Sequence, residues 1–180
     1  MQNECGHWKD EAAVILVLMI ALCATAASAE EPASRKGQWS LGGELGFISH
    51  TPERDAFAMN IRADRFNDEF FSLGPLLQLG LNGDLQQIAL SGQFKYWHTF
   101  GLRQPTPTMT LQAGFGFVHA DAATDSDTSW IIPLGIGFDY PLTDRLSLSS
   151  TLLLNITHLE AGSLTGAVNI MPSITVGLRF

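Results

Sequence analysis

The chain has 180 residues, with 10 basic against 18 acidic side chains and a formal net charge of −8. An acidic chain without a basic run excludes nucleic acid as its partner. Its two cysteines, Cys5 and Cys23, both fall within the first 29 residues. The remainder therefore has no disulfides, thiol chemistry or cysteine-based metal sites.

Residues 1–29 read as a signal peptide. An almost unbroken apolar run over 12–27 is shorter than the ~20 residues a spanning helix needs. It ends in Ala27-Ser28-Ala29, the small-x-small pattern of a signal-peptidase site, followed by Glu30 and Glu31. The region before the run is untypical, because Glu4, Asp10 and Glu11 outweigh Lys9. Leu22 is too large for the position preceding a lipidated cysteine, which argues against an anchor at Cys23. Cleavage before Glu30 would remove Lys9, Glu4, Asp10 and Glu11, leaving 9 basic and 15 acidic residues and a charge of −6. Residues 30–36 form a short polar lead-in, and 37–180 form one domain without linker or repeat.

From residue 37 onward the chain parses into eight segments with the period of two that marks a strand. The first, 38–49, sets Trp39, Leu41, Leu45 and Phe47 against Ser40, Gly42, Glu44 and Gly46. Residues 55–66 set Phe57, Met59, Ile61 and Ala63 against Ala58, Asn60, Arg62 and Asp64. Residues 70–82 place Phe71, Leu73, Leu77, Leu79 and Leu81 opposite Ser72, Gly74, Gln78 and Gly80. Residues 86–100 set Ile88, Leu90, Phe94, Tyr96 and Phe100 against Ala89, Ser91, Gln93, Lys95 and Thr99. The segments 108–120, 129–140 and 146–158 repeat the pattern, with Thr110, Gln112, Asp139, Ser149, Thr151 and Asn155 on their polar faces. In the eighth, 168–180, Val168, Ile170, Ile174, Val176, Leu178 and Phe180 oppose Asn169, Ser173, Thr175, Gly177 and Arg179.

Each segment matches the ~9–11 residues that cross a bilayer when tilted, and an even number lets both termini lie on one side. The predicted fold is therefore all-β: an eight-stranded antiparallel up-and-down transmembrane β-barrel behind a cleaved signal peptide. Short outer connections at 50–54, 83–85, 121–128 and 159–167 disfavour a large receptor-like crown. With the first strand running outward, Trp39, Phe71, Tyr96, Phe100, Tyr140 and Phe180 gather at the periplasmic interface, and Phe47, Phe57, Phe117 and Trp130 at the outer one. All ten lie on the apolar face, as two aromatic girdles demand. Most glycines take the inward parity, where they relieve crowding in a narrow barrel. Pro75, Pro133 and Pro172 each remove a ladder donor and count against the strand parse, a conflict that a bulge at each would resolve.

The closing strand ending on Phe180 resembles the C-terminal signature of bacterial outer-membrane barrels. The run Ile132-Pro-Leu-Gly-Ile-Gly-Phe-Asp-Tyr-Pro-Leu-Thr-Asp-Arg-Leu-Ser-Leu148 resembles their recurrent hairpin G-x-G-x-x-Y-x-L-T-x-x-L-S-L. Over 37–180 the chain looks like the small outer-membrane β-barrel domain family, the OmpA/OmpX-like eight-stranded barrels. The resemblance implies a bacterial outer-membrane location and a monomer surrounded by outer-membrane lipid and lipopolysaccharide. It also implies assembly by the barrel-assembly machinery, with Phe180 as the signal that the machinery reads.

Six ionisable residues have inward parity: Glu44, Asp64 and Asp139 against Arg62, Lys95 and Arg179. Isolated charges in a narrow low-dielectric interior are costly, so a structural ion-pair network is expected, with Gln78, Gln93, Gln112 and Asn155 completing hydrogen bonds. The same charges could instead line a gated ion path. At the outer rim lie His50 with Ser49, His119 with Asp121, and His158 with Glu160 and Ser163. Some eight-stranded barrels modify lipid A with such residues, but the His-x-Ser arrangement of the deacylases is absent. The lead-in is also too short for the helix of the acyltransferases. The expectation is a non-enzymatic envelope protein without cofactor or metal, with a lipid A-modifying or small-ligand-binding barrel as the alternative.

Overall fold

A computed structural model describes residues 35–83, 85–100, 107–122, 125–161 and 167–180. The signal-peptide reading, most of the lead-in and Ser163 lie outside the described residues. Eight strands follow one another: β1 Trp39–Thr51, β2 Arg54–Phe66, β3 Phe71–Leu81, β4 Leu85–Thr99, β5 Thr108–Ala122, β6 Ser126–Pro141, β7 Ser147–Leu159 and β8 Val168–Arg179. Each pairs antiparallel with the next, and β8 returns to β1 to close the barrel.

The register fixes the geometry. Partner positions followed once round from Phe71 pass through Tyr96, Leu111, Ile136, Leu152, Ile174, Phe47 and Phe57. They return to β3 at Leu81, ten residues further along. With eight strands, that stagger goes with strands tilted by ~35–45° and an interior that side chains just fill. The near end carries residue 38, Phe180 and the β2–β3 and β6–β7 turns, and the far end carries the β1–β2 turn.

The pleat puts the apolar side chains outside. Trp39, Phe47 and Phe117 are 62%, 63% and 62% exposed, whereas Glu44 and Lys95 are 1% exposed. All ten girdle aromatics face outward or lie at the ends of the wall, none buried. This is the reverse of a water-soluble barrel and is the arrangement a lipid solvent requires. No helix among the described residues is long and apolar enough to cross a membrane.

At the near end, Asp68 Oδ1 accepts from the backbone N–H groups of Phe70 and Phe71 at 2.7 and 2.8 Å. The Thr143 hydroxyl accepts from Leu146 N–H at 3.0 Å. These local bonds close tight turns.

Four details differ from the sequence reading. The β5–β6 hairpin runs further than the 121–128 loop implied, because Asp121 pairs with Ser126 and Ala122 N–H donates to Asp125 at 2.9 Å. In β8, Val168 turns into the lumen and Asn169 out of it, opposite to their assigned faces. A bulge in the β7–β8 ladder between Ile156 and Leu159 supplies the extra residue that flips the parity.

The third difference concerns the prolines, none of which makes a bulge; the register shifts fall at Ile48/Thr51 and Ile156/Leu159. Each proline instead borders a gap in one ladder. The β2–β3 pairing skips Gly74 and Pro75, β5–β6 skips Ile132 and Pro133, and β1–β8 stops at Ser173 beside Pro172. On the opposite flank each keeps its partner, Gly92, Asn155 or Leu154. A missing N–H is thus placed where no ladder bond is asked of it.

The fourth is that the lumen is not polar throughout. Towards the far end Ile48, Ala56, Leu85, Val118, Ala120, Ile131, Leu159, Val168 and Met171 belong to one buried apolar cluster.

Candidate functional site in the barrel lumen

Each inward charge is carried by a strand position whose neighbours point to lipid, so burial follows from the pleat. The structure brings the six together as three pairs. Glu44 on β1 meets Arg62 on β2, with exposures of 1% and 5%. Asp64 on β2 meets Lys95 on β4 at 2.8 Å. Asp139 on β6 meets Arg179 on β8 at 3.0 Å. Strand direction and register stack them: the Glu44 pair near mid-height, the Asp64 pair below it, and the Asp139 pair at the near end.

The Glu44 carboxylate is the most densely bonded group. Oε1 accepts from Arg62 Nη2 and from the Ser149 and Thr151 hydroxyls, both at 2.8 Å. Oε2 accepts from the Thr175 hydroxyl at 2.8 Å. Arg62 also donates to Ser149 and, at 3.2 Å, to Thr151. Carboxylate and guanidinium therefore share two β7 hydroxyls, and the pair bridges β1 and β2 to β7 and β8.

The partners that complete this network differ from those expected. Gln93 donates to Ser91 at 2.8 Å, but the side-chain oxygens of Gln78, Gln93, Gln112 and Asn155 take no protein donor. Short hydroxyls serve instead because they reach a neighbouring carboxylate without filling the narrow lumen. Their inward parity in the sequence was visible, but their shared target was not.

The near end holds residues that parity alone did not single out. Trp97 on β4 points inward, 2% exposed, and its indole N–H donates to the Ser72 hydroxyl at 2.8 Å. Its ring lies 5.1 Å from Phe66, and the Arg179 guanidinium sits 4.9 Å over it. Arg35, just before β1, lies 5.6 Å over Phe66. Burial, then the nearby Arg179 charge, holds the Arg35 pKa below its ordinary value, while Asp139 and Glu69 act in the opposite sense.

Among the described residues the rim histidines do not converge on a catalytic arrangement. His119 Nδ1 bonds the Thr128 hydroxyl at 2.8 Å. His158 lies between Glu160 at 3.3 Å and Asn169 at 3.2 Å, with His158 and Glu160 more than half exposed. The Ser129 hydroxyl donates to the His158 backbone carbonyl, not to its ring. His50 sits at the β1–β2 turn with φ of 56°. Among the described residues no group of three or more His, Cys, Asp or Glu side chains could hold a metal. The wall carries a concavity of about 510 Å³ on its lipid-facing side, lined by Phe94, Leu111, Ala113, Leu134, Ile136 and Leu152 among others, so it offers hydrocarbon rather than chemistry.

No family model and no curated protein sequence matches this chain. Solved structures do. Neisserial surface protein A is 16% identical with a TM-score of 0.53, covering 78% of this chain and 94% of its own. The N-terminal β-barrel domain of Pseudomonas aeruginosa OprF is 15% identical with a TM-score of 0.52, covering 81% and 98%. The Pseudomonas aeruginosa outer membrane protein OprG is 11% identical with a TM-score of 0.52, covering 80% and 95%. Identities this low speak for the fold alone. With eight strands in consecutive order, an apolar exterior and a charged interior, the chain has the fold of these small eight-stranded outer-membrane barrels.

Proposed function

We propose that this outer-membrane barrel is a non-enzymatic envelope structural or interaction protein whose lumen is plugged. The near end then faces the periplasm and the far end the cell exterior. The observation that carries the reading is the stacking of three ion pairs under an apolar layer. Opposite charges cancel within each pair, so the lumen offers a passing ion neither net attraction nor a continuous wet path. Outer-membrane lipid and lipopolysaccharide surround the wall, the barrel-assembly machinery inserts it through the Phe180 strand, and the protein acts as a monomer.

A lipid A-modifying activity is the competing reading, and the His158–Glu160 contact at the outer rim is what favours it. Two measurements separate them. Refolded protein in planar bilayers should give no steady conductance, and lipid A mass spectra should be unchanged on overexpression. Large stable channels would overturn the plug. A lipid A mass shift abolished by His158→Ala would establish the enzyme.

A further inference from the structure

Residues 35–38 lie outside every strand, yet they fold under the near-end mouth. Gly37 turns the chain with a φ of +82°, a left-handed conformation that L side chains rarely adopt. Its N–H donates to Phe66 C=O at 2.7 Å, Phe66 N–H donates to Gln38 C=O at 3.0 Å, and Gln38 N–H donates to Arg35 C=O at 3.0 Å. The turn delivers the Arg35 guanidinium onto Phe66, which packs on Trp97, which lies under Arg179. Arg179 is anchored in turn to Asp139, Ser40 and Ser147 on three strands. The resulting stack, Arg35–Phe66–Trp97–Arg179, lies across the mouth below the polar network.

The two ends of the lumen are closed differently. At the far end Ile48, Val118, Ile131 and Met171 are wall residues and cannot withdraw without moving strands. At the near end one member of the closure, Arg35, sits outside the strands, on a segment that backbone bonds join to Phe66 and that lays its guanidinium over the Phe66 ring. Such a segment belongs to the low-stability end of a structure and opens first.

We propose that residues 35–38 are a latch that holds the periplasmic mouth shut, and that the lumen becomes accessible from the periplasmic side when this segment releases. The proposal rests on the closed-lumen reading, and its test keeps the two apart.

The chain from Glu30 onward contains no cysteine, so single cysteines can report access. Thr110, 3% exposed and paired with Trp97 across β4–β5, lies beside the stack. Ala120, fully buried in the far-end layer, is the control. Protein carrying Thr110→Cys or Ala120→Cys is refolded in vesicles, checked for heat-modifiable migration, and labelled with a small cationic methanethiosulfonate. Thr108→Cys, also 3% exposed, replaces Thr110→Cys if that variant does not fold.

Arg35→Ala should raise the Thr110→Cys labelling rate about tenfold, the shift expected when one cation–π contact no longer favours the closed state. The Ala120→Cys rate should not change. Gly37→Val should do the same with Arg35 still present, because it strains the turn. Arg35→Lys, which keeps a cation, should restore slow labelling. Slow labelling at Thr110→Cys in both Arg35→Ala and Gly37→Val would overturn the latch and leave the closed lumen standing. Fast labelling at both sites without any latch substitution would overturn the closed lumen itself.

Discussion

Glu44→Ala is the sharpest perturbation of the lumen. It removes a carboxylate that is 1% exposed and takes four donors: Arg62, Ser149, Thr151 and Thr175. Arg62 stays behind, 5% exposed, with only its bonds to Ser149 and Thr151. Breaking a buried pair by deleting one partner costs ~3–5 kcal/mol, chiefly from the uncompensated charge. The Thr175 hydroxyl keeps the bond it accepts from Asn60 at 3.2 Å but loses the acceptor for its own proton, which adds ~1 kcal/mol; water entering the vacated space offsets about as much, so a loss of ~4 kcal/mol is expected. With a urea m-value of ~2 kcal/mol/M, the unfolding midpoint of the refolded barrel in vesicles should fall by roughly 2 M. The double variant Glu44→Ala/Arg62→Leu leaves no unpaired charge and should recover part of that loss. A midpoint shift below ~0.3 M, or a double variant no more stable than the single, would refute the claim that a dry ion pair braces this lumen.

The wall and the plug can be tested with the same protein. A Cβ at Gly46 would lie 1.9 Å from Ile174 C=O, whereas one at Gly92 would meet nothing within 4 Å. Gly46→Ala should therefore lower folded yield and stability by ~1–3 kcal/mol or more, while Gly92→Ala changes the urea midpoint negligibly. Phe180 exchanges backbone bonds of 2.8 and 3.0 Å with Leu41 at the closing seam. Phe180→Ala should reduce the heat-modifiable, outer-membrane fraction and leave export to the periplasm intact, as fractionation and gel migration will show. Because the apolar layer closes the lumen separately from the charges, the folded fraction of Glu44→Ala should still show no steady conductance in planar bilayers.

Most of the fold was legible because lipid imposes a rule that acts residue by residue. An outward position must be apolar, so the period of two in a run such as Trp39, Leu41, Leu45 and Phe47 reports the wall directly. The rule fails where pairing shifts. The bulge beside Ile156 reversed Val168 and Asn169, and nothing in a local alternation count reveals an extra residue on the partner strand. The prolines misled for the opposite reason: a single strand does not show that one of its flanks is unpaired. The six lumen charges were found from parity, yet which would meet which depended on stagger, a property of the closed barrel. The apolar far-end layer was also present as inward-parity Ile48, Val118 and Ile131. It was overlooked because the interior was expected to be polar.

The weakest part of the wall and the densest part of the interior coincide. The β1–β8 ladder joins seven positions, Gly42 to Ile48, whereas β4–β5 joins fifteen, Leu85 to Thr99. β1 therefore enters the barrel with a short seam on one side, and β2 with a gapped one on the other. The network anchored on Glu44 and Arg62 spans this region, tying β1 to β8 through Thr175 and both β1 and β2 to β7 through Ser149 and Thr151. Asp64 ties β2 past β3 to Lys95 on β4. A selectivity path would set charges of one sign along the lumen. Here Asp64–Lys95 and Asp139–Arg179 join strands that share no ladder, and the Glu44 carboxylate reaches across the short β1–β8 seam to Thr175, which is the placement a brace requires.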